Sequence, residues 1–223
     1  LVGIGMILLT VKKNKWEPIV NLLLAVLLAN LVGARVGYIL EHPSGFSSLK
    51  DGYSLSQGGL SLFSGLLLGI PTYFFMLRWQ KLDFWKTSDL LVPILHLSLG
   101  IVRIGCFFAG CCYGTPTDLP WGILSNSGLL PQGLHGTAIH PVQIYEAIFL
   151  FLLVPILLWL RRKSMPHGST ALFFLAAYSF FRILMNPIRG DIAPMEGIGM
   201  SFSQLGALFF LSASIAMWAI RHI

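Results

Sequence analysis

Four arginines lie within or beside long apolar stretches, where a charged side chain is costly to accommodate: Arg35, Arg103, Arg182 and Arg189. An arginine inside a membrane span usually faces a cavity or a partner. A guanidinium suits phosphate because its planar fork of donors matches two phosphate oxygens. In a membrane the phosphate would come from a phospholipid, so these four arginines predict a site for a lipid headgroup.

In the alternative interpretation the arginines pair with acids and only hold helices together. The candidate acids are Glu41, Glu146, Asp191 and Glu196. Arg182 and Arg189 are separated by Pro187, which is expected to bend or end the helix between them.

The stretch "HPVQIYE" at 140–146 opens a later apolar segment with several polar side chains. His140 and Gln143 share a helix face at a spacing of i,i+3, as do Gln143 and Glu146. Glu146 also suits a helix N-terminus, where the dipole favours negative charge. Grouped with Tyr145 and facing arginines, His140 is a candidate for acid–base chemistry.

The stretch "CFFAGCC" holds the only three cysteines of the chain: Cys106, Cys111 and Cys112. Pairing of Cys106 with Cys111 or Cys112 would staple the turn after Arg103 and leave one thiol over. The spacing lacks nearby histidines and is not a zinc pattern. A structural or supporting role is expected, and neither a metal nor another cofactor.

The composition identifies the kind of protein that must position these groups. Of 223 residues, 55% are hydrophobic and 11% charged, with a mean hydropathy of +0.76, whereas soluble domains carry roughly 25% charged residues. We predict an all-α integral membrane protein, a polytopic helical bundle in one domain. The apolar windows are about 1–10 (partial), 19–40, 60–77, 90–108, 144–160, 171–185 and 202–220.

The loops between these windows carry most of the positive charge. Ten of the fifteen Lys and Arg residues lie on one side, which is therefore predicted to be cytoplasmic. The net charge of +6 is thus explained without a nucleic-acid partner. The N-terminal segment is expected outside and the C-terminus inside. The four arginines and the 140–146 stretch then share the outer side.

Five stretches together resemble the prolipoprotein diacylglyceryl transferase family: "GARVGYILEHP", "GGLSLFSGLLLG", "SDLLVPILHLSLGIVRIGCFFAGCCYG", "HPVQIYEA" and "FFRILMNPIRGD". The resemblance implies seven spans, the first truncated here, in a bacterial inner membrane, with the N-terminus outside. It implies transfer of diacylglyceryl from phosphatidylglycerol to the lipobox cysteine of a prelipoprotein, without a cofactor. Glycerol 1-phosphate would leave.

The resemblance also implies roles for individual residues. Arg103 matches the arginine that holds the headgroup, and Arg182 matches the essential arginine of the sixth span. Tyr145 and Glu146 match the family's Tyr–Glu pair, and Asp89 matches the acid that opens the fourth span. The remaining residues expected at the phosphatidylglycerol site are Arg35, Arg189, Gln143, Gly59, Gly65 and Gly114. Gly65 and Gly69 also form a GxxxG spacing that is typical of close helix packing.

The chain departs from the family pattern at several of these motifs. Phe63 occupies the place of a common histidine, and Phe cannot move a proton. Cys106, Cys111 and Asn186 stand where Asn, Glu and Glu are common. Either another residue is the base, with His140 the best local candidate, or the chain is a non-catalytic lipid-binding relative. A thiol–disulfide enzyme and a transporter are further alternatives.

Overall fold

The computed structural model of the chain describes residues 16–41, 61–124, 132–192, 195, 197 and 199–222. The predicted partial span at 1–10 and Gly59 lie outside these residues. The chain divides after Thr87 into two compact units, and the expectation of a single domain stays a prediction.

Six α-helices account for most of the described chain and confirm the predicted all-α class. They are α1 (Trp16–Glu41), α2 (Leu62–Trp79), α3 (Phe84–Ala109), α4 (Val142–Arg161), α5 (Ser169–Met185) and α6 (Phe202–His222). Within the described residues, five segments are long and apolar enough to cross a membrane, those of α1, α3, α4, α5 and α6. The 18-residue α2 coincides with the predicted window at 60–77.

The distribution of exposed and buried side chains is that of a protein in lipid. Leu27, Leu67 and Leu152 are more than 60% exposed, while His96 and Glu146 are almost fully buried. Apolar side chains on the outside cost nothing in a hydrocarbon solvent, whereas polar groups there would be unsatisfied. The helices therefore turn their polar residues toward one another.

In the first unit, small residues let α1 and α2 approach closely. A Cβ at Gly65 would lie 3.1 Å from the Asn30 carbonyl oxygen, and one at Gly69 would overlap the Asn30 side chain. Gly33 of α1 faces the Ser64 carbonyl in the same way. The GxxxG spacing thus packs two helices, as small residues do in membranes.

In the second unit, α4 runs antiparallel to α3 and α5. At the start of α5 the carboxylate of Asp89 accepts hydrogen bonds from the backbone N–H groups of Gly168 (2.6 Å) and Ala171 (2.9 Å). These are free donors at a helix N-terminus, and the negative charge is also favoured there. Asp89 therefore fixes the beginning of α5 against α3.

At the opposite end, short strands and turns connect the helices. Strands β1 (Ile123–Leu124) and β2 (Ala138–Ile139) pair antiparallel. Helix α5 ends at Met185, and a 3₁₀ turn, Asn186–Ile188, follows it. Pro187 lies within this turn, which confirms the predicted end of the helix before Arg189.

Candidate functional site

Three helix ends bring the charged residues together in the second unit. Arg103 lies near the C-terminal end of α3 and Arg182 near that of α5, while Glu146 lies in the second turn of α4. Arg182 lies in the last turn of α5, where the helix dipole favours positive charge. The antiparallel course of α4 then places the carboxylate between the two guanidiniums.

Glu146 is the centre of this cluster. Its Oε2 lies 3.1 Å from Arg103 Nε and 3.5 Å from Arg182 Nη1, and its side chain is only 2% exposed. These are ion pairs at short distance, but neither nitrogen is aligned for a hydrogen bond. Within the described residues, both buried N–H groups have no hydrogen-bond acceptor. Buried donors of this kind are normally satisfied, so a ligand oxygen would be stabilised here.

The charges of the cluster do not balance. Two guanidiniums share one carboxylate, so within the described residues one positive charge is left over. The arginine side chains are 16% and 14% exposed, which limits screening by water. A buried charge needs a counterion, and a phosphodiester carries one negative charge. The cluster can therefore bind such an anion.

Tyr178 completes the cluster, and the sequence analysis did not identify it. Its hydroxyl donates a hydrogen bond of 2.6 Å to Glu146 Oε1, which orients the carboxylate so that Oε2 faces the arginines. Tyr178 precedes Arg182 by four residues and thus shares its face of α5. This spacing of four residues is the sequence feature that could have identified Tyr178.

Arg189 is arranged differently. Its Nε and Nη2 donate to the two carboxylate oxygens of Asp191, at 2.9 and 2.6 Å. Burial lowers the pKa of this guanidinium, but the hydrogen bonds and charge of Asp191 outweigh burial and raise the pKa above its ordinary value. The alternative interpretation, that arginines pair with acids, thus holds for Arg189 and in part for Arg103 and Arg182.

Gly114 allows the loops at this end to approach one another. A Cβ there would lie 2.5 Å from the His140 carbonyl oxygen, closer than real Cβ contacts. Gly114 pairs with Arg189 in an antiparallel bridge, and Thr115 on its C-terminal side donates from its N–H to the Ile188 carbonyl at 2.9 Å. Gly114 is therefore required to position Arg189 and His140.

His140 lies beside a cavity of about 220 Å³. Polar His140, Gln143 and Tyr113 line it together with apolar residues such as Phe107. The Tyr145 hydroxyl accepts a hydrogen bond from Trp121 Nε1 (2.8 Å) and lies 3.3 Å from His140 Nδ1. When Nδ1–H donates to this hydroxyl, the other ring nitrogen is free to accept a proton.

The three cysteines are all free thiols in this structure, so the predicted Cys106 disulfide is not formed. The Arg103 Nη1 donates to Cys112 Sγ at 3.7 Å, and Cys111 Sγ donates to the Cys106 carbonyl at 3.7 Å. Gln143 Nε2 donates to the Cys111 carbonyl at 2.6 Å. Burial, together with the hydrogen bond to Cys106, raises the pKa of the Cys111 thiol to about 12.

The remaining predicted residues make contacts within their own units. Arg35 is buried in the first unit, where its guanidinium lies 5.8 Å from the Tyr38 ring centre. Asn186 joins α5 to α6 through Ser201 (2.8 Å) and Ser203 (2.8 Å). The side chain of Phe63 is outside the described residues, and Gly65 is the packing glycine described above. The roles of Arg35 and Gly65 at a lipid stay predictions.

Comparison with known proteins places the chain among characterised sequences. The family model described as "Prolipoprotein diacylglyceryl transferase" matches residues 1–220. Similar proteins carry the name phosphatidylglycerol–prolipoprotein diacylglyceryl transferase. One from Clostridium tetani is 32% identical over 92% of this chain and 81% of its own length. One from Mannheimia succiniciproducens is 32% identical over 92% and 80%, and one from Pasteurella multocida 34% over 78% and 62%.

Proposed function

Because the chain belongs to the prolipoprotein diacylglyceryl transferase family, we propose that it transfers diacylglyceryl from phosphatidylglycerol to the thiol of a prelipoprotein lipobox cysteine. The single observation that carries this proposal is the pair of buried arginines that share Glu146 and keep one positive charge unbalanced. The departure at Asn186 lies outside this cluster, because Asn186 joins α5 to α6 through Ser201 and Ser203.

The headgroup phosphate is proposed to bind between Arg103 and Arg182. Arg103 Nε and Arg182 Nη1 have no hydrogen-bond acceptor among the described residues, so both can donate to phosphate oxygens without losing an existing hydrogen bond. Glu146 and Tyr178 hold the two guanidiniums in place. The acyl chains remain in the bilayer, alongside the exposed apolar faces of the helices.

In the reaction, the lipobox sulfur attacks the glyceryl carbon that bears the phosphate ester. A carbon–sulfur bond forms and the carbon–oxygen bond breaks, so glycerol 1-phosphate leaves. Negative charge grows on the departing phosphate, and the preorganised arginines stabilise it, which is commonly the largest contribution to such catalysis.

The thiol proton must be accepted during the reaction, and His140 is proposed as its acceptor. The residue lines the cavity in which the substrate thiol is proposed to lie. Its Nδ1 lies 3.3 Å from the Tyr145 hydroxyl, and in the tautomer in which Nδ1–H donates to this oxygen the other ring nitrogen can accept the proton. The arginine cluster also lowers the pKa of a bound thiol, so a strong base is not required. Activity is therefore compatible with Phe63 in the position where the family commonly has a histidine.

The membrane orientation is part of the proposal. Arg161 ends α4 at the end away from Glu146, and Arg162 and Lys163 follow it. Arg221 of α6 donates to the His167 carbonyl at 2.6 Å near the same end. Under the positive-inside rule this end is cytoplasmic. The site would then open to the outer leaflet of a bacterial inner membrane, with the C-terminus inside.

The test is a transfer assay with purified chain, phosphatidylglycerol vesicles and a lipobox peptide. We expect a mass gain of one diacylglyceryl group on the peptide cysteine. The Arg182→Gln variant should lose this product, whereas Arg162→Gln, which changes an exposed arginine at the other end of the bundle, should keep it. Failure of the wild-type chain to modify the peptide while it still binds phosphatidylglycerol would contradict the proposed function.

A further inference from the structure

Three thiols converge directly beside the arginine cluster, and the proposed reaction uses none of them. The sulfur atoms of Cys106, Cys111 and Cys112 all lie within 4.8 Å of one another, and the three side chains are half-buried. Cys106 lies in the last turn of α3, and the other two follow the end of that helix. The sequence spacing did not predict this convergence.

The backbone bends to bring the sulfurs together. Cys112 has a φ of 58°, a left-handed conformation that is uncommon outside glycine. Residues in such conformations tend to cluster at active sites and ligand clamps. Two hydrogen bonds also hold the loop. Cys111 donates its N–H to the Cys106 carbonyl at 3.2 Å, and its own carbonyl accepts a hydrogen bond from Gln143 Nε2.

We propose that Cys106, Cys111 and Cys112 form a three-sulfur site for a thiophilic metal ion such as Zn²⁺, Cd²⁺ or Cu⁺. Metal–sulfur bonds of about 2.3 Å require sulfur atoms roughly 3.8–4.0 Å apart, so the observed arrangement needs to contract by less than ~1 Å. Soft thiolates select ions of this class. A disulfide would use two sulfurs and would not account for the third.

The electrostatic surroundings suit such a site. Binding of a divalent ion replaces three thiol protons, which are released, and leaves a metal–trithiolate unit with one net negative charge. The Arg103 Nη1 already lies 3.7 Å from Cys112 Sγ. This cation stabilises the loaded site.

Loading of this site has a consequence for the neighbouring cluster. The anionic metal–trithiolate unit would neutralise the surplus charge that Arg103 and Arg182 hold. Bound metal is therefore expected to weaken headgroup binding and transfer. This consequence rests on the proposed function, whereas metal binding itself does not.

The test is a Cd²⁺ titration of the purified, fully reduced chain in detergent under anaerobic conditions. We expect one ion per chain, a thiolate-to-metal charge-transfer band in the ultraviolet, and protection of all three thiols from a thiol reagent. Single variants Cys106→Ser, Cys111→Ser and Cys112→Ser should each weaken binding by more than the ~10–100-fold that loss of an outer-shell partner causes. The triple variant gives the background from histidines and carboxylates.

The outcomes are separable. Absence of a saturable band, or unchanged binding by Cys106→Ser, would overturn the metal site. The metal site would also be overturned if the chain, isolated without reductant, had only one titratable thiol, because the other two cysteines would then form a disulfide. Thermal unfolding of each Ser variant identifies a loss of fold. In the transfer assay Cd²⁺ should inhibit the wild type and leave the triple variant unaffected. If the chain had no transfer activity at all, the charge-transfer band would still show whether the metal site exists.

Discussion

Two groups of arginines lie at the same end of the second unit, and they differ in how their charge is compensated. Arg189 is bound by both oxygens of its own carboxylate, Asp191. Arg103 and Arg182 have to share Glu146, and neither makes an aligned hydrogen bond to it. Although all three are arginines beside apolar segments, only the shared pair has capacity left for a ligand. The difference shows that the compensation of a buried charge, more than its presence, marks a binding site.

The largest effect is expected at the carboxylate itself. Glu146→Gln would leave two buried guanidiniums without a counterion, and removal of one partner of a buried ion pair costs about 3–5 kcal/mol. We expect the apparent free energy of unfolding, measured by denaturant titration in micelles, to fall by this amount. Glu146→Asp keeps the charge and should lose much less. Equal stability of the Gln variant and the wild type would mean that the cluster is not held by charge.

The next effect concerns transfer. Arg103→Gln removes a donor aimed at the position where phosphate charge develops, and loss of one such donor typically lowers kcat by about 10²–10³-fold. The rate of peptide modification at saturating phosphatidylglycerol measures this, with Arg162→Gln as the matched control. A loss of only a few-fold would place the phosphate elsewhere and remove the distinction between the two arginine groups.

A smaller effect is expected from the balanced pair. The double variant Arg189→Gln/Asp191→Asn removes both charges together, so no buried charge is left alone, and such paired replacements are often nearly neutral. Transfer should fall by less than about tenfold, the equivalent of ~1.4 kcal/mol. If the double variant were as inactive as Arg103→Gln, Arg189 would belong to the headgroup site.

The smallest effect is expected at the other end of the helices. Asp89→Asn keeps the shape of the side chain but loses its charge at the N-terminus of α5, where caps contribute about 0.5–2 kcal/mol. The melting temperature in detergent should fall, while the transfer rate of the folded enzyme should change little. A rate loss comparable to that of Arg103→Gln would give Asp89 a part in the chemistry.

The sequence was sufficient to predict the helices, and it also predicts a common level for several polar residues. Apolar windows locate the spans because lipid imposes their length and composition, and basic loops indicate which ends belong together. His140, Gln143, Glu146, Arg103 and Arg182 could therefore be expected near one another in depth. Glu146 lies within ion-pair distance of Arg103 and Arg182, whereas the shared depth of the whole set stays a prediction.

The pairing within that level could not be predicted. Whether Glu146 faces Arg103, Arg182 or both depends on the rotation of each helix about its axis, which is set by packing rather than by local sequence. The disulfide expected at Cys106 was not found. The backbone conformation of Cys112 brings three sulfur atoms within 4.8 Å of one another, whereas a disulfide would join only two of them. Tyr178 was missed since an aromatic residue in an apolar span is usually only a packing residue.

The cap at Asp89 has a further meaning when distances along the helices are considered. Asp89 is 14 residues before Arg103 in α3, and Ser169, the first residue of α5, is 13 residues before Arg182. At ~1.5 Å per residue these lengths are roughly 21 and 20 Å, and both helices run in the same direction. The two helical segments thus have nearly equal length between the Asp89 cap and their arginines, and both guanidiniums reach Glu146. Insertion of one residue in either segment would shift its arginine by ~1.5 Å and turn it by about 100°. The distance from the cap to Glu146 therefore constrains the length of both segments more than their side chains.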